Sequence, residues 1–230
     1  TYTEDIGVLD GERLARFDAL LIYANIEKIT PDQEKALVEY VEAGGAFVPI
    51  HCASYCFLNS PAYVALVGAQ FQSHGTGEFE AKAVDPSHPI LKGLEPFRTW
   101  DETYVHHRHH TEGRHVLQTR DDDSTSEPWT WIRRQGKGRV FYTAFGHDGR
   151  TWQNPGFHDL LERGIRWACA KDEQNIADRV FDSRIRVAKN LKSFTYSPAE
   201  VPFYAPSKSW GFQGEPFRQM QNPLAPEESA

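Results

Sequence analysis

Three stretches of this chain are apolar with almost no polar alternation: Phe17 to Ala24, Ala46 to His51, and Arg139 to Phe145. Runs of that length without alternation predict strands buried on both faces, as in the parallel sheet of an α/β protein. Between the first two, Thr30 is placed as an N-cap, Pro31 at the first helical position, and Gln33 three residues after the cap. Leu37 and Val41 share one face and Gly44-Gly45 makes a stop, so a capped helix joins the two strands. Strand, helix, strand makes a βαβ unit, whose crossover is right-handed in nearly all cases. Ser60-Pro61 opens a second helix through Val67, and a short helical run falls near residues 10 to 16. Residues 78 to 84 alternate as a half-exposed strand does, and 115 to 119 and 128 to 133 are further strands flanking the acidic loop 121 to 127. Asn154-Pro155 caps a last helix, with Phe157, Leu160, Leu161, Ile165 and Ala168 along one face.

The succession predicts a doubly wound α/β domain over residues 1–172. Residues 173–230 differ in character: 174–190 fit an amphipathic helix, and 196–230 are rich in Pro, Ser, Gly and Gln without periodicity, which predicts an extended linker. The first strand arrives only at residue 17, after a turn and helix, so the pattern is that of a sheet lacking its first βα unit. Ligands of open α/β sheets bind beyond the carboxyl ends of the strands. That rule directs attention to Ile50-His51-Cys52 and Gly146-His147-Asp148, two strand ends that carry a histidine.

Charge and composition narrow the partners. A formal charge of -7 leaves no basic stripe for phosphates, which argues against nucleic acid and anionic membranes. Aromatic residues make up 13% of the chain, a supply that cores use and that sugar-binding clefts use as well. Cys52, Cys56 and Cys169 are odd in number and widely spaced, so a disulfide scaffold is not expected. No stretch approaches a membrane span, and Thr1 to Asp5 lacks a signal-peptide pattern, so an export signal would lie upstream of residue 1.

Imidazole suits proton transfer near neutral pH and metal ligation. His51 and His147 are the expected catalytic pair at the strand ends, and His74, in a polar loop Phe71 to Gly75, is placed to fold over the sheet edge. Asp101-Glu102-Thr103-Tyr104 offers carboxylates for a general base or for sugar hydroxyls, with Glu102 as the third catalytic candidate. Cys52, Ser54, His74, Asp101, Tyr104 and Asp148 form the expected substrate-binding set. The run His106 to His110 lacks metal-ligand spacing and is expected as a solvated loop. Cys52 stands where a nucleophile would, but the glycine frame of a nucleophile elbow is missing, which argues against the tight strained turn. His88-Pro89-Ile90 with Lys92-Gly93-Leu94 is expected to be a structural turn.

These segments resemble a known family. Gly44 to Ser54, Asp85 to Ile90, Asp101 to Tyr104, and Gly136 to Asp148, spread over roughly residues 15 to 170 in the family's order, are similar to ThuA-like (trehalose utilisation) proteins. That family is a branch of the class I glutamine amidotransferase-like superfamily. The resemblance implies a flavodoxin-like, mostly parallel sheet with helices on both faces, and bacterial carbohydrate metabolism acting on disaccharides or their 3-keto derivatives. Superfamily members keep a cysteine nucleophile after the strand equivalent to 46–51 and a histidine after that equivalent to 139–145. Here His147 matches the histidine, while His51 occupies the nucleophile's place and Cys52 falls one residue late, which speaks against glutaminase activity. The tail, Pro202-Phe203-Tyr204 and Met220 to Ser229, resembles the linker joining such a domain to a membrane-bound dehydrogenase-like β-propeller and a c-type cytochrome in large multidomain proteins. That resemblance implies a fragment of an exported protein, periplasmic or secreted; without it, a cytoplasmic one.

Three functions follow as expectations. The first is a carbohydrate-processing domain working by histidine acid/base chemistry on a disaccharide or 3-keto-glycoside. The second is a non-catalytic sugar-binding module attached to a dehydrogenase. The third is a hydrolase dependent on a divalent metal held by His51, His74 and His147.

Overall fold

A computed structural model describes residues 2–122 and 125–170. The expected helix at 174–190, the linker at 196–230 and the tail motifs lie outside those residues.

The chain forms α1 (Gly11–Leu14), β1 (Ala19–Ile22), α2 (Pro31–Glu42), β2 (Ala46–Pro49), a 3-10 turn (His51–Tyr55) and α3 (Pro61–Val67). It continues through β3 (Gln70–Glu80), β4 (Lys82–Ala83), β5 (Arg98–His107), β6 (Arg114–Asp121), β7 (Ser126–Gln135), β8 (Gly138–Thr143), α4 (Gly149–Trp152) and α5 (Pro155–Cys169). The helix starts are the ones the caps dictate. Thr30 Oγ1 accepts from the Gln33 amide while Gln33 Oε1 accepts from the Thr30 amide, a reciprocal capping box. Ser60 and Asn154 cap α3 and α5 in turn, each followed by proline.

Six strands make one sheet in the order β1-β2-β8-β7-β6-β4. β1, β2 and β8 are parallel neighbours, and two successive antiparallel pairings bring β6 back to the same direction. Only β7 and β4 run the other way, so the sheet is mostly parallel in strand direction. Every residue of β2 and β8 is buried, because helices cover both faces. Phe47 pairs with Val140 in register and packs edge-on against Tyr63 of α3, whereas the next residue, Phe141, faces the backbone of α5 at Gly164. Neighbours in a strand point to opposite faces, so α3 and α5 lie on opposite sides.

A second, two-stranded sheet departs from expectation. β3 and β5 form a long antiparallel ribbon, with a register shift between Phe71 and Ser73. His74 therefore sits in a strand, not a loop, and the alternating run at 78–84 is split between the end of β3 and β4. The histidine run is corrected too. His106 and His107 belong to β5, and His106 is buried. The turn at His88 is present, its backbone amide bonded to the Asp85 carbonyl.

The β7–β8 hairpin is pressed against the end of α2. A Cβ added at Gly138 would collide with the backbone carbonyls of Val41 and Gly45. Backbone on both sides cannot step aside as a side-chain tip can. Gly138→Ala is expected to cost on the order of 2–3 kcal/mol, read as a lowered denaturant midpoint at unchanged slope; an unaltered midpoint would show that the hairpin is not pinned there.

Candidate functional site

β2 and β8 are adjacent and parallel, so their C-terminal loops emerge side by side. The first loop turns at once: His51 follows Ile50 with φ +49. A left-handed conformation in a non-glycine residue costs about 1–3 kcal/mol and persists where surrounding contacts over-determine it. The strained elbow thus exists without its glycine frame, and it is centred on His51 instead of Cys52. The second loop turns at Gly146, φ +131, where a Cβ would crowd Ile50 and His51.

Asp101 fastens this second loop. Its fully buried carboxylate accepts from the amides of Gly146 (2.8 Å), His147 (3.0 Å) and Asp148 (3.0 Å), and from the Glu102 amide at 2.9 Å. The Gly146 carbonyl is held from the other side by Tyr23 Oη and Trp152 Nε1, at 2.7 and 2.6 Å. Asp101 was expected to meet substrate; instead its oxygens are taken by backbone N–H groups.

Strand alternation sends the next residue of β5 the other way, and Glu102 becomes the centre of a histidine cluster. His51 Nε2 lies 3.2 Å from Glu102 Oε2, while His147 Nδ1 and His74 Nδ1 lie 3.4 and 3.5 Å from Oε1. His51 has no exposed side-chain surface, whereas His147 and His74 are 40% and 41% exposed. Burial alone would raise the Glu102 carboxyl, but the hydrogen bond from His51 and the fields of His147, His51 and His74 outweigh it and hold it below the ordinary carboxyl value. Its ionised form therefore favours the folded state above the ordinary carboxyl range, a contribution lost as pH falls through the lowered value.

His51 is fixed on all sides. Nδ1 lies 2.7 Å from the Ala144 carbonyl, an acceptor only, so Nδ1 carries a proton and Nε2 is directed at Glu102. The ring stacks on Tyr104, centroids 4.1 Å apart, and stands 5.7 Å from the His147 ring. One donor atom each from His51, Glu102 and His147 lie within 4.8 Å of one another. Among the described residues this set can hold a metal ion. It keeps two of the three expected ligands; His74 Nδ1 instead has the Gly75 carbonyl at 3.1 Å, an acceptor to which it must donate.

Other expected binding residues lie beneath the turn. Cys52 is buried, and burial pushes its thiol well above the ordinary range, helped by the neighbouring Cys56 thiol, itself pushed up to about 12. A thiol kept neutral is no nucleophile. Ser54 Oγ donates to the His51 carbonyl at 3.0 Å and meets Tyr142 Oη at 3.0 Å. Asp148 caps α4 and binds Arg150 through two hydrogen bonds, 2.7 and 2.8 Å.

The sequence reading missed Tyr23, Trp152 and a buried network formed by Glu127, His106 and Tyr142. Glu127 Oε1 accepts from the His106 amide and Nδ1, and His106 Nε2 meets Tyr142 Oη at 3.0 Å. The available signal was parity: Glu102, Tyr104 and His106 share one face of β5.

The sequence model of the ThuA family, described as trehalose utilisation, matches residues 1–168. Among solved structures, a ThuA-like protein from Parabacteroides merdae aligns with a TM-score of 0.62 at 24% identity, over 68% of this chain and 72% of that one. One from Bacteroides uniformis aligns at 0.63 and 22% identity, over 75% of this chain and 77% of that one. A β-galactosidase from Rahnella sp. R3 aligns at 0.51 and 20% identity, over 69% of this chain and 23% of that one. Identities this low speak for the fold alone. No curated protein matches the chain.

Asp101→Asn replaces one acceptor oxygen by a donor facing backbone N–H groups. The loss is expected to be about 2–4 kcal/mol, measured by denaturant unfolding, with faster amide exchange at residues 146–148. Stability and exchange equal to wild type would refute the fastening role.

Proposed function

Because the chain belongs to the ThuA (trehalose utilisation) family, we propose that it processes a disaccharide or 3-keto-glycoside by moving a proton at the Glu102 cluster. The observation that carries this reading is the convergence of three imidazoles on one carboxylate at the carboxyl ends of β2 and β8. With Glu102 ionised, His147 Nδ1 turns its proton toward it while His74 Nδ1 keeps its proton for the Gly75 carbonyl, which makes Nε2 the unprotonated ring nitrogen of each and the atom that can act as base. His147 takes a proton from the carbon next to the sugar's ketone, the electron pair moves to the carbonyl oxygen, and His74 in its protonated form returns a proton to the enolate. His51, wholly enclosed, holds Glu102 from behind. Its part differs from the direct proton transfer expected of it, because no ring surface is open to substrate. Glutaminase chemistry has no support: the elbow residue is an imidazole and the adjacent thiol is neutral.

The test is turnover of 3-keto-glycosides. His147→Ala and Glu102→Gln are expected to lower kcat by about 100-fold or more while the variants stay folded; equal rates in variant and wild type would sink the assignment. A non-catalytic sugar-binding module, delivering sugar to an attached dehydrogenase, remains the outcome if wild type binds without turnover.

A second reading is favoured by the His51 geometry. Its Nδ1 proton is committed to a backbone carbonyl, the arrangement by which proteins orient a metal-ligating imidazole, and its Nε2 meets Glu102 and His147 within 4.8 Å. Two imidazoles and a carboxylate suit zinc, manganese or iron, which would polarise a carbonyl or activate water. In this reading chelator-free protein holds about one ion per chain, and Glu102→Gln loses it. Elemental analysis without a stoichiometric metal would leave the proton-transfer reading alone.

A further inference from the structure

We propose that Trp100 is the platform of a second sugar subsite, so that the substrate carries a second ring beyond the one that reacts; the inference rests on the sugar-processing reading above. Trp100 is among the few large apolar side chains left exposed, at 39%. A lone exposed tryptophan is unremarkable by itself, so the weight lies on its surroundings.

Alternate residues of a strand share a face, and Trp100, Glu102 and Tyr104 are alternate residues of β5. Tyr104 is buried against His51, Glu102 is the centre of the cluster, and Trp100 is the next step outward. A two-residue step is about 7 Å, which suits a neighbouring ring of the same substrate. Facing strand β3 presents His74 opposite Tyr104, Thr76 opposite Glu102 and Glu78 opposite Trp100, so polar side chains line the same side.

The Trp100 backbone is anchored and its ring has a cationic neighbour. Thr151 Oγ1 donates to the Trp100 carbonyl at 3.2 Å, and the Arg150 guanidinium lies 5.0 Å from the ring centroid. Arg150 is itself gripped by Asp148, and Asp148 follows His147 directly. One short stretch, residues 146–150, therefore supplies both the imidazole of the cluster and the cation over the indole. An indole with the planar Asp–Arg pair laid over it offers both apolar and polar contacts to a sugar ring, whose C–H face is apolar and whose edge carries adjacent hydroxyls that donate and accept. In this proposal Asp148, expected to bind substrate, acts by orienting Arg150.

Calorimetry on the whole chain with trehalose and with glucose separates the possibilities. Wild type is expected to bind trehalose more tightly than glucose. Trp100→Ala should lose trehalose affinity by about tenfold, with glucose affinity changed less than about twofold. Trp100→Phe should retain most of the trehalose affinity. If both sugars bind wild type and Trp100→Ala weakens them equally or not at all, the subsite is overturned and the cluster's role stands. If wild type binds neither sugar, the subsite is overturned, and turnover of 3-keto-glycosides decides the sugar-processing reading separately.

Discussion

The site depends on one buried carboxylate. Asp101 would be costly to bury alone, and it is made tolerable by four backbone N–H groups, three of them from consecutive residues after β8. Hydrogen bonds to an ionised oxygen are among the stronger kind, and here they join two sheets that share no strand pairing. The ribbon bearing Glu102 and His74 is tied to the main sheet bearing His51 and His147. Strand alternation does the rest: of two adjacent acids on β5, one must face the loop and the other must face the opposite way. Fastening and chemistry are thus divided between neighbours, and neither can take the other's role without a change of register.

The elbow after β2 is a tight turn built on an imidazole in place of glycine. The turn stands at His51, held by the Ala144 carbonyl, the Tyr104 ring and Glu102. An imidazole at such a turn is not exposed as a nucleophile, for it has no free surface. It serves as the rear wall of a carboxylate whose front is shared by two accessible histidines. Cys52, one residue late, falls under the turn, where desolvation keeps it protonated.

Much of the sheet was legible because its signals are local. The apolar runs of β2 and β8, the caps at Thr30, Ser60 and Asn154, and the apolar face of α5 each fall within a few residues of one another. His51 and His147 were found for the same reason, as the residues that end buried strands. The β3–β5 ribbon was not legible. Its sequence is rich in Thr, Glu, His and Gly, with one face open to solvent, so no apolar period marks it. Misreading the ribbon moved His74 to a loop, hid His106 inside a supposed surface tract, and blurred the different duties of Asp101 and Glu102. The elbow was missed because its positive φ is imposed by tertiary contacts and not by glycine. Tyr23 and Trp152 converge on Gly146 from positions far apart in sequence or across a turn, which no spacing rule encodes.

Two polar layers lie within this end of the molecule, and their connection decides what each can do. The outer layer is Glu102 with His51, His74 and His147; the inner one is Glu127, His106, Tyr142 and Ser54. Desolvation lowers the His106 value despite Glu127 beside it, which favours the neutral ring. Its Nδ1 proton then goes to Glu127, and its Nε2 takes the hydroxyl proton of Tyr142. One hydroxyl proton cannot also serve the His51 carbonyl, which leaves that acceptor to Ser54 Oγ. Among the described residues, the hydrogen bonds of the inner chain therefore reach the outer layer at a backbone carbonyl. A carbonyl accepts hydrogen bonds but passes no proton onward, so the wire is broken there. The inner layer sets the position of the strained turn, and the proposed proton transfer is confined to the outer histidines and Glu102.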